Sequence, residues 1–186
     1  MPAAILSKDE VLDLLLNTFR DRGYEGSSLA ELSTATGLGK SSLYHYFPGG
    51  KEEMAEQVLA HLDRQLTTRL FEPMRLAQSP AKKLGLMLDT LDAFYEGGRK
   101  ACLLERLCAS VDRTRFRRPL RDAFVVWVDA VEAVCLESGL AKGVARARAE
   151  DLVVRIEGAL IVCAGTGDTG VFARTIKDLR SSVLAR

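Results

Sequence analysis

One short segment of this 186-residue chain concentrates side chains that can hydrogen-bond to a partner. It reads KSSLYHYF and places Lys40, Ser41, Ser42, Tyr44 and His45 close together. Lysine donates to guanine or to phosphate, serine bonds either group, and tyrosine meets a thymine methyl group or a phosphate. The segment therefore fits a surface that contacts nucleic acid. A helical hairpin that packs its aromatic residues into a core is the alternative interpretation.

The other polar residues show no pattern that is typical of catalysis. No side chains stand in a nucleophile–base arrangement, and Gly49-Gly50 lacks the lysine and the strand context of a phosphate-binding loop. The four cysteines form no CxxC pair and there are only two histidines, which argues against a zinc site. We therefore expect that the protein is not an enzyme and needs no metal or cofactor.

Apolar residues recur with helical spacing along nearly the whole chain. Near the N-terminus, Ser28 and Glu31 form a capping-box pattern that begins a second helix. A third, short helix over residues 40–47 ends at Pro48-Gly49-Gly50, and a long helix begins at Lys51. Because no segment alternates with period two, we predict that the fold class is all-α.

Three helices followed by a long one are typical of a helix-turn-helix module. In such a module the second helix of the pair lies in the DNA major groove. Leu43 and Phe47 are four residues apart, so both would face the core. The polar side chains of the KSSLYHYF segment would then face outward, and their small neighbours would let the backbone approach the bases.

A series of short motifs in this region follows the order of a known family. They are Gly23-Tyr24, Ser28, Leu32-Ser33, Gly37-Leu38-Gly39, Leu43-Tyr44-His45-Tyr46-Phe47 and Lys51-Glu52. This part of the chain, about residues 8–55, resembles the TetR family of bacterial transcription regulators. The Pro48-Gly49-Gly50 segment is one residue longer than the commonest form and is similar to the LmrA/YxaF branch of that family.

The resemblance implies a helix-turn-helix DNA-binding domain over residues 1–50 and a ligand-sensing and dimerisation domain over residues 51–186, with about nine helices in total. It implies base or groove contacts by Lys40, Ser41, Ser42 and Tyr44. It implies phosphate contacts by Ser28, His45, Tyr46 and Lys51. Two positions depart from the family, because Gly39 replaces a common Ser or Thr cap and Ser41 replaces a common glycine.

The predicted DNA-binding domain is close to neutral. Residues 1–51 contain five basic and six acidic side chains, and the whole chain has a formal net charge of +1. This charge differs from the basic footprint of many nucleic-acid-binding proteins. We therefore expect DNA binding to depend on local placement and on two domains in a dimer, with modest non-specific affinity and a shallow salt dependence.

Two helical stripes in the C-terminal region are the richest in apolar and aromatic residues. A ligand pocket between helices is lined by such residues, with a few polar groups that orient the ligand. As candidates we nominate Met87, Leu91, Tyr95, Leu107, Phe124, Trp127 and Val131. Plain core packing is the alternative for each of them.

The last two predicted helices are the candidates for dimerisation. The final one repeats its apolar residues at intervals of four and three, like a coiled-coil seam. The family resemblance implies that the last two helices of two chains form a four-helix interface. The predicted interface residues are Leu152, Ile156, Ala159, Leu160, Cys163, Phe172, Ile176, Leu179 and Val183.

These features together predict a homodimeric repressor that binds a palindromic operator in double-stranded DNA and is released by a small hydrophobic or aromatic effector. An alternative is a redox or electrophile sensor on the same scaffold, in which Cys102 or Cys108 reacts; simple burial is the other interpretation of these cysteines. No run of eighteen apolar residues occurs and charges interrupt the N-terminus, so we expect a cytoplasmic protein without a membrane contact.

A basic run covers residues 112–118, directly before Pro119. Charge runs are usually solvated, and this one has no accompanying array of aromatic residues for stacking on bases. We therefore predict a solvated loop rather than a nucleic-acid patch, with Pro119 in the first turn of the next helix.

Overall fold

The computed structural model describes residues 6–110 and 113–185, and within these ranges all regular structure is helical. The all-α prediction is therefore confirmed. The N-terminal helices are α1 (Lys8–Arg22), α2 (Leu29–Thr36), α3 (Lys40–Tyr46) and α4 (Gly50–Leu66). The later ones are α5 (Glu72–Leu76), α6 (Pro80–Phe94), α7 (Leu103–Cys108), α8 (Arg113–Glu137), α9 (Lys142–Thr166) and α10 (Gly170–Ser182).

Helices α4 and α5 run on without interruption. A π-helical turn over Thr67–Phe71 joins them, and the Glu72 N–H donates to the Thr67 carbonyl. This wider turn directly precedes Pro73, which has no N–H to donate to the preceding turn. The helix therefore continues past Pro73 to Leu76. With α4 and α5 counted as one, the described residues contain nine α-helices, as predicted.

The chain divides into two compact units. The first unit runs to Arg64 and also includes Leu103–Arg117, because α7 packs against α1. The second consists of Gln65–Cys102 and the residues from Arg118 onward. The ranges 1–50 and 51–186 remain a prediction about which residues bind DNA and which sense a ligand.

The core of the first unit comes from one face of each N-terminal helix. In α1, the buried apolar side chains follow one another at helical spacing along a single face. The fully buried residues of these helices are Val11, Leu15, Phe19, Leu32, Leu43, Met54 and Val58. This packing positions α2 and α3 relative to α1 and the first half of α4.

In the core of the second unit, α10 packs against α9 and α6. A tight approach occurs at Gly98, in the turn after α6. Gly98 has φ 90°, and a Cβ at this position would lie 2.7 Å from the Cβ of Phe172. Only glycine fits there without a backbone shift, so this residue allows the α6 turn to lie directly on α10.

Helix α8 begins earlier than the sequence predicts. It starts at Arg113, so Pro119 lies inside the helix rather than in its first turn. Pro119 has no N–H for the carbonyl of Arg115, and the helix tolerates this loss because Phe116 is fully buried and anchors its first turns. The predicted solvated loop is therefore helical from Arg113 to Arg118, whereas Asp112 lies outside the described residues.

Candidate nucleic-acid interface

Local hydrogen bonds fix both ends of α2, and a glycine precedes α3. The Glu31 N–H donates to Ser28 Oγ at 3.3 Å and the Ser28 N–H donates to the Glu31 carboxylate at 2.8 Å, so the predicted capping box is confirmed. After α2, Gly37 takes the left-handed conformation with φ 67°, and its N–H donates to the Thr34 carbonyl. Gly39 then caps α3 without a side-chain bond.

Helix α3 has one buried side and one exposed side. Leu43 and Phe47 are both 0% exposed, as the four-residue spacing predicts. The polar residues of the segment lie exposed, and these are Lys40, Ser41, Ser42, Tyr44 and His45. The helix therefore presents a row of hydrogen-bonding groups, together with a half-exposed tyrosine ring, on a rigid support.

Two of the residues predicted to contact phosphate already have partners inside the first unit. The half-buried Tyr46 donates its hydroxyl hydrogen to the Leu6 carbonyl at 3.1 Å. Lys51 donates from Nζ to the Tyr24 carbonyl at 2.8 Å, and the same ammonium lies 4.3 Å from the centre of the Tyr24 ring. These contacts give Tyr46 and Lys51 a structural role that the sequence does not reveal.

Tyr24 is the centre of an aromatic cluster in the first unit. Its ring stacks on Phe19, with the centroids 6.1 Å apart, and meets the edge of Phe116 at 5.2 Å. Lys51 covers the same ring. Phe116 comes from the start of α8, so a distant part of the chain completes this cluster.

Two further polar contacts hold the same distant segment to the N-terminal helices. Arg115 pairs with Glu52 at the start of α4, with 2.6 Å between Nε and Oε1. Ser110 donates its hydroxyl hydrogen to the Glu25 carboxylate at 2.6 Å. Sequence reasoning missed Arg115 and Phe116, and the one signal for them is the aromatic residue inside a basic run.

Two acidic residues of this unit are held in local hydrogen bonds at the start of a helix. Hydrogen bonds from the backbone N–H and the side chain of Ser28 lower the pKa of Glu31, which also pairs with Arg22 at 2.6 Å. An equivalent pair of bonds from Ser7 lowers the pKa of Glu10. Both carboxylates cap a helix and thus act on the positive end of the helix dipole.

Most of the residues nominated for ligand binding are buried in the second unit. Phe124 is partly buried, whereas Leu107 belongs to the first unit. The buried members within the second unit are Met87, Leu91, Tyr95, Trp127 and Val131. Trp127 is 7% exposed, and its Nε1 has no hydrogen-bond partner among the described residues.

The nine residues predicted for the dimer interface are all buried within their own chain. They are Leu152, Ile156, Ala159, Leu160, Cys163, Phe172, Ile176, Leu179 and Val183. Side chains that are already buried have little surface left to bury against a second copy. The large apolar residues of α9 that do lie exposed are Val144, Val154, Ile161 and Val162.

The two cysteines considered as sensors differ in accessibility. Cys102 is buried and its Sγ lies 3.4 Å from the Tyr95 hydroxyl, whereas Cys108 is exposed. Among the described residues, no group of three or more His, Cys, Asp or Glu side chains could hold a metal ion. The same residues include no helix with the length and apolar character needed to cross a bilayer.

The sequence was compared with protein families and with curated relatives. Residues 11–58 match the family model described as bacterial regulatory proteins, tetR family. The HTH-type transcriptional regulator LmrA of Bacillus subtilis (strain 168) is 22% identical over 160 residues, which cover 84% of this chain and 85% of LmrA. The range that matches the family model, residues 11–58, contains α2, α3 and most of α1 and α4.

The fold was compared with solved structures. A TetR transcriptional regulator from Legionella pneumophila superposes with a TM-score of 0.83 at 16% identity, over 95% of this chain and 97% of that one. The regulator CifR, solved with 26 bp operator DNA, has a TM-score of 0.72 at 21% identity, over 98% and 100%. FadR from Bacillus subtilis, solved with stearoyl-CoA, has a TM-score of 0.69 at 14% identity, over 94% and 98%.

Proposed function

Because this chain belongs to the TetR family of DNA-binding transcriptional regulators, we propose that it is a homodimeric repressor of a palindromic operator and that a small hydrophobic or aromatic effector releases it. The observation that carries the proposal is the exposed row of polar side chains on α3, inside the range that matches the family. A protein that acts on operator DNA works in the cytoplasm, the compartment that the sequence predicts.

In this proposal α3 enters the major groove. Lys40, Ser41, Ser42 and Tyr44 are exposed and have side chains suited to base edges, with lysine donating to guanine and tyrosine packing on a thymine methyl group. The known structure of CifR with operator DNA supports this mode, since its fold is similar. Base contacts from these four residues would set the operator sequence.

Phosphate contacts would fix the position of α3 in the groove. Ser28 and His45 are exposed, and the Ser28 hydroxyl would have to turn from the Glu31 carboxylate to donate to a phosphate while it still accepts from the Glu31 N–H. Tyr46 and Lys51 would have to share or exchange their present partners, the carbonyls of Leu6 and Tyr24. Of these four residues, we therefore assign the strongest phosphate contact to His45, which is exposed.

The exposed face of α9 is the best candidate for the contact between two copies. Val154, Ile161 and Val162 are 68%, 54% and 44% exposed and lie on one side of the helix. Gly158 lies between them, and a Cβ there would meet nothing within 4 Å in its own chain. Packing this stripe across a two-fold axis would bury apolar surface and would place two α3 helices on a palindrome.

The effector would act from the second unit. A molecule that binds the DNA-incompetent form better than the DNA-binding form shifts the population toward release. The buried apolar residues of α6 and α8 would line the site of such a molecule, and FadR, which has a similar fold, is known with stearoyl-CoA bound. The class of effector that fits this surface is apolar or aromatic.

A gel shift on DNA from upstream of the protein's own gene tests the proposal. We expect a palindromic fragment to be retarded by the wild type and not by a Lys40→Ala, Tyr44→Ala double variant. Lys82→Ala and Lys177→Ala remove exposed lysines of the second unit and serve as charge controls, with retardation unchanged. Equal retardation by the double variant and the wild type would contradict the assignment of α3.

Release from DNA is tested on the same fragment with hydrophobic drugs and aromatic natural products. A compound that acts as the effector raises the protein concentration needed for retardation and also raises the melting temperature of the free protein. If no compound of a broad library releases the retarded fragment, the proposed response to an effector is contradicted. The proposed DNA binding would still stand.

A further inference from the structure

The indole of Trp127 is buried with its hydrogen-bond donor unused by the protein. Trp127 is 7% exposed, and Nε1 has no hydrogen-bond partner among the described residues. An indole N–H can only donate, and buried donors in native proteins nearly always have an acceptor. A buried donor that lacks an acceptor among the described residues is a candidate to bind an acceptor on another molecule.

The neighbouring positions on α8 cannot supply this acceptor. The residues three and four positions away on the same face are Ala123, Phe124, Ala130 and Val131. None of these side chains has an oxygen or a nitrogen atom. Leu120 and Val128 extend the apolar surface, and both are buried in the second unit. The donor therefore lies on a face of α8 that is otherwise apolar.

Packing alone does not explain a tryptophan at this position. A phenylalanine or a leucine would fill apolar space without leaving a polar atom unsatisfied. The unsatisfied N–H group costs free energy in the free protein, and a bound molecule that supplies an acceptor would remove this cost. That state is the complex with the effector, so the present inference rests on the proposed function.

We propose that Trp127 Nε1–H donates the hydrogen bond that orients the effector. The effector is then an apolar, mostly aromatic molecule that carries an uncharged acceptor, such as a carbonyl oxygen. An ionised acceptor does not fit, because burial of a charge requires a paired cation and this face of α8 has only apolar side chains beside Trp127. Trp127 thus selects among apolar molecules by the presence of one oxygen atom.

Trp127 is the single tryptophan of the chain, which makes a direct test feasible. Protein labelled with 15N-tryptophan has one indole N–H resonance, and this resonance reports the hydrogen bond itself. The probes are acetophenone, 2-acetylnaphthalene and 2-acetylanthracene, each compared with the isopropyl arene of the same shape that has no acceptor. We expect a ketone of fitting size to shift the indole proton downfield and to slow its exchange with solvent.

The matched pair also predicts an affinity difference. We expect the ketone to bind about tenfold more tightly than its isopropyl partner, the factor that one net hydrogen bond supplies. Trp127→Phe should reduce this ratio to about one. A second variant, in which benzothienylalanine replaces Trp127, keeps the ring shape and exchanges the N–H for sulfur, so it separates loss of the donor from loss of packing.

Three outcomes would overturn the proposal. One is an indole proton whose resonance shows a hydrogen bond in the free protein and is not shifted by any ketone. The indole N–H would then donate to an internal water molecule. Another is equal affinity for ketone and isopropyl probes in the wild type. The third is that no ketone binds. Operator binding is measured separately, so an absent gel shift with an intact indole response would count against the proposed function alone.

Discussion

The Nε2 atom of His61 on α4 lies 2.8 Å from the Oδ1 atom of Asp13 on α1. Its other ring nitrogen faces Asp9, at 3.5 Å from Oδ1. Only 5% of His61 is exposed, although both carboxylates reach solvent. This hydrogen bond joins the first helix of the unit to the helix that leads out of it, within one compact unit.

Removing either partner of this bond should lower the free energy of unfolding. A double-mutant cycle with His61→Ala and Asp13→Ala should give a coupling of about 1 kcal/mol, the net value of a partly exposed hydrogen bond. Urea unfolding measures it. Asp63→Ala, at an exposed position of α4, is the control and should change stability by less than about 0.5 kcal/mol. Strict additivity of the two single variants would contradict the assigned contact.

The Ser28 cap should have a measurable effect on stability. Ser28→Ala removes the oxygen that accepts from the Glu31 N–H, and we expect a loss of about 1 kcal/mol in thermal or urea unfolding. Ser42→Ala is the matched control, because Ser42 is exposed on α3 and caps no helix. If both variants lose the same stability, the capping box does not stabilise α2.

The same box predicts a dependence of stability on pH. Ser28 lowers the pKa of Glu31 in the folded protein from its ordinary value of 4.5, so the folded state favours the ionised carboxylate. This contribution is complete above pH 4.5 and is lost as the pH falls through the lowered pKa. Glu31→Gln should therefore flatten the acid side of the stability curve and leave its slope near pH 7 unchanged. If the stability of Glu31→Gln falls at acid pH as steeply as that of the wild type, ionised Glu31 does not make this contribution.

Lys40 and Lys51 should respond differently to substitution. Lys40→Ala should leave stability unchanged, weaken operator binding by about 1–3 kcal/mol and relax the sequence preference, as expected for a base contact. Lys51→Ala should reduce stability by about 1 kcal/mol, because it loses the Tyr24 carbonyl and the ring beneath it. Titration calorimetry and urea unfolding separate the two. If Lys40→Ala lowers the free energy of unfolding, Lys40 has a structural role and is not only an exposed contact residue.

An aspartate on the exposed stripe of α9 should break the proposed dimer. Ile161→Asp places a charge in the contact between two copies, and we expect monomers in analytical ultracentrifugation together with weaker operator binding. Leu76→Asp is the control, because Leu76 is 84% exposed and belongs to a different helix, α5. If Ile161→Asp forms dimers as stable as those of the wild type, the dimer interface does not include this stripe of α9.

The amino-acid sequence by itself determined the features that depend on near neighbours. The Ser28–Glu31 box, the glycine before α3 and the burial of Leu43 and Phe47 follow from helix geometry and capping, which act over three or four residues. The same short-range pattern carries the family resemblance, and the match over residues 11–58 confirms it.

The tertiary structure decided which surface covers each apolar face. Helical periodicity correctly identified the apolar stripe of α9 with Leu152 and Ile156, but periodicity does not tell whether the same chain or a second copy covers it. Phe116 reaches Tyr24 from far along the chain, and Lys51 lies on the same ring. Such contacts depend on how the helices pack, because residues distant in sequence share no local signal, and only the packed fold shows them.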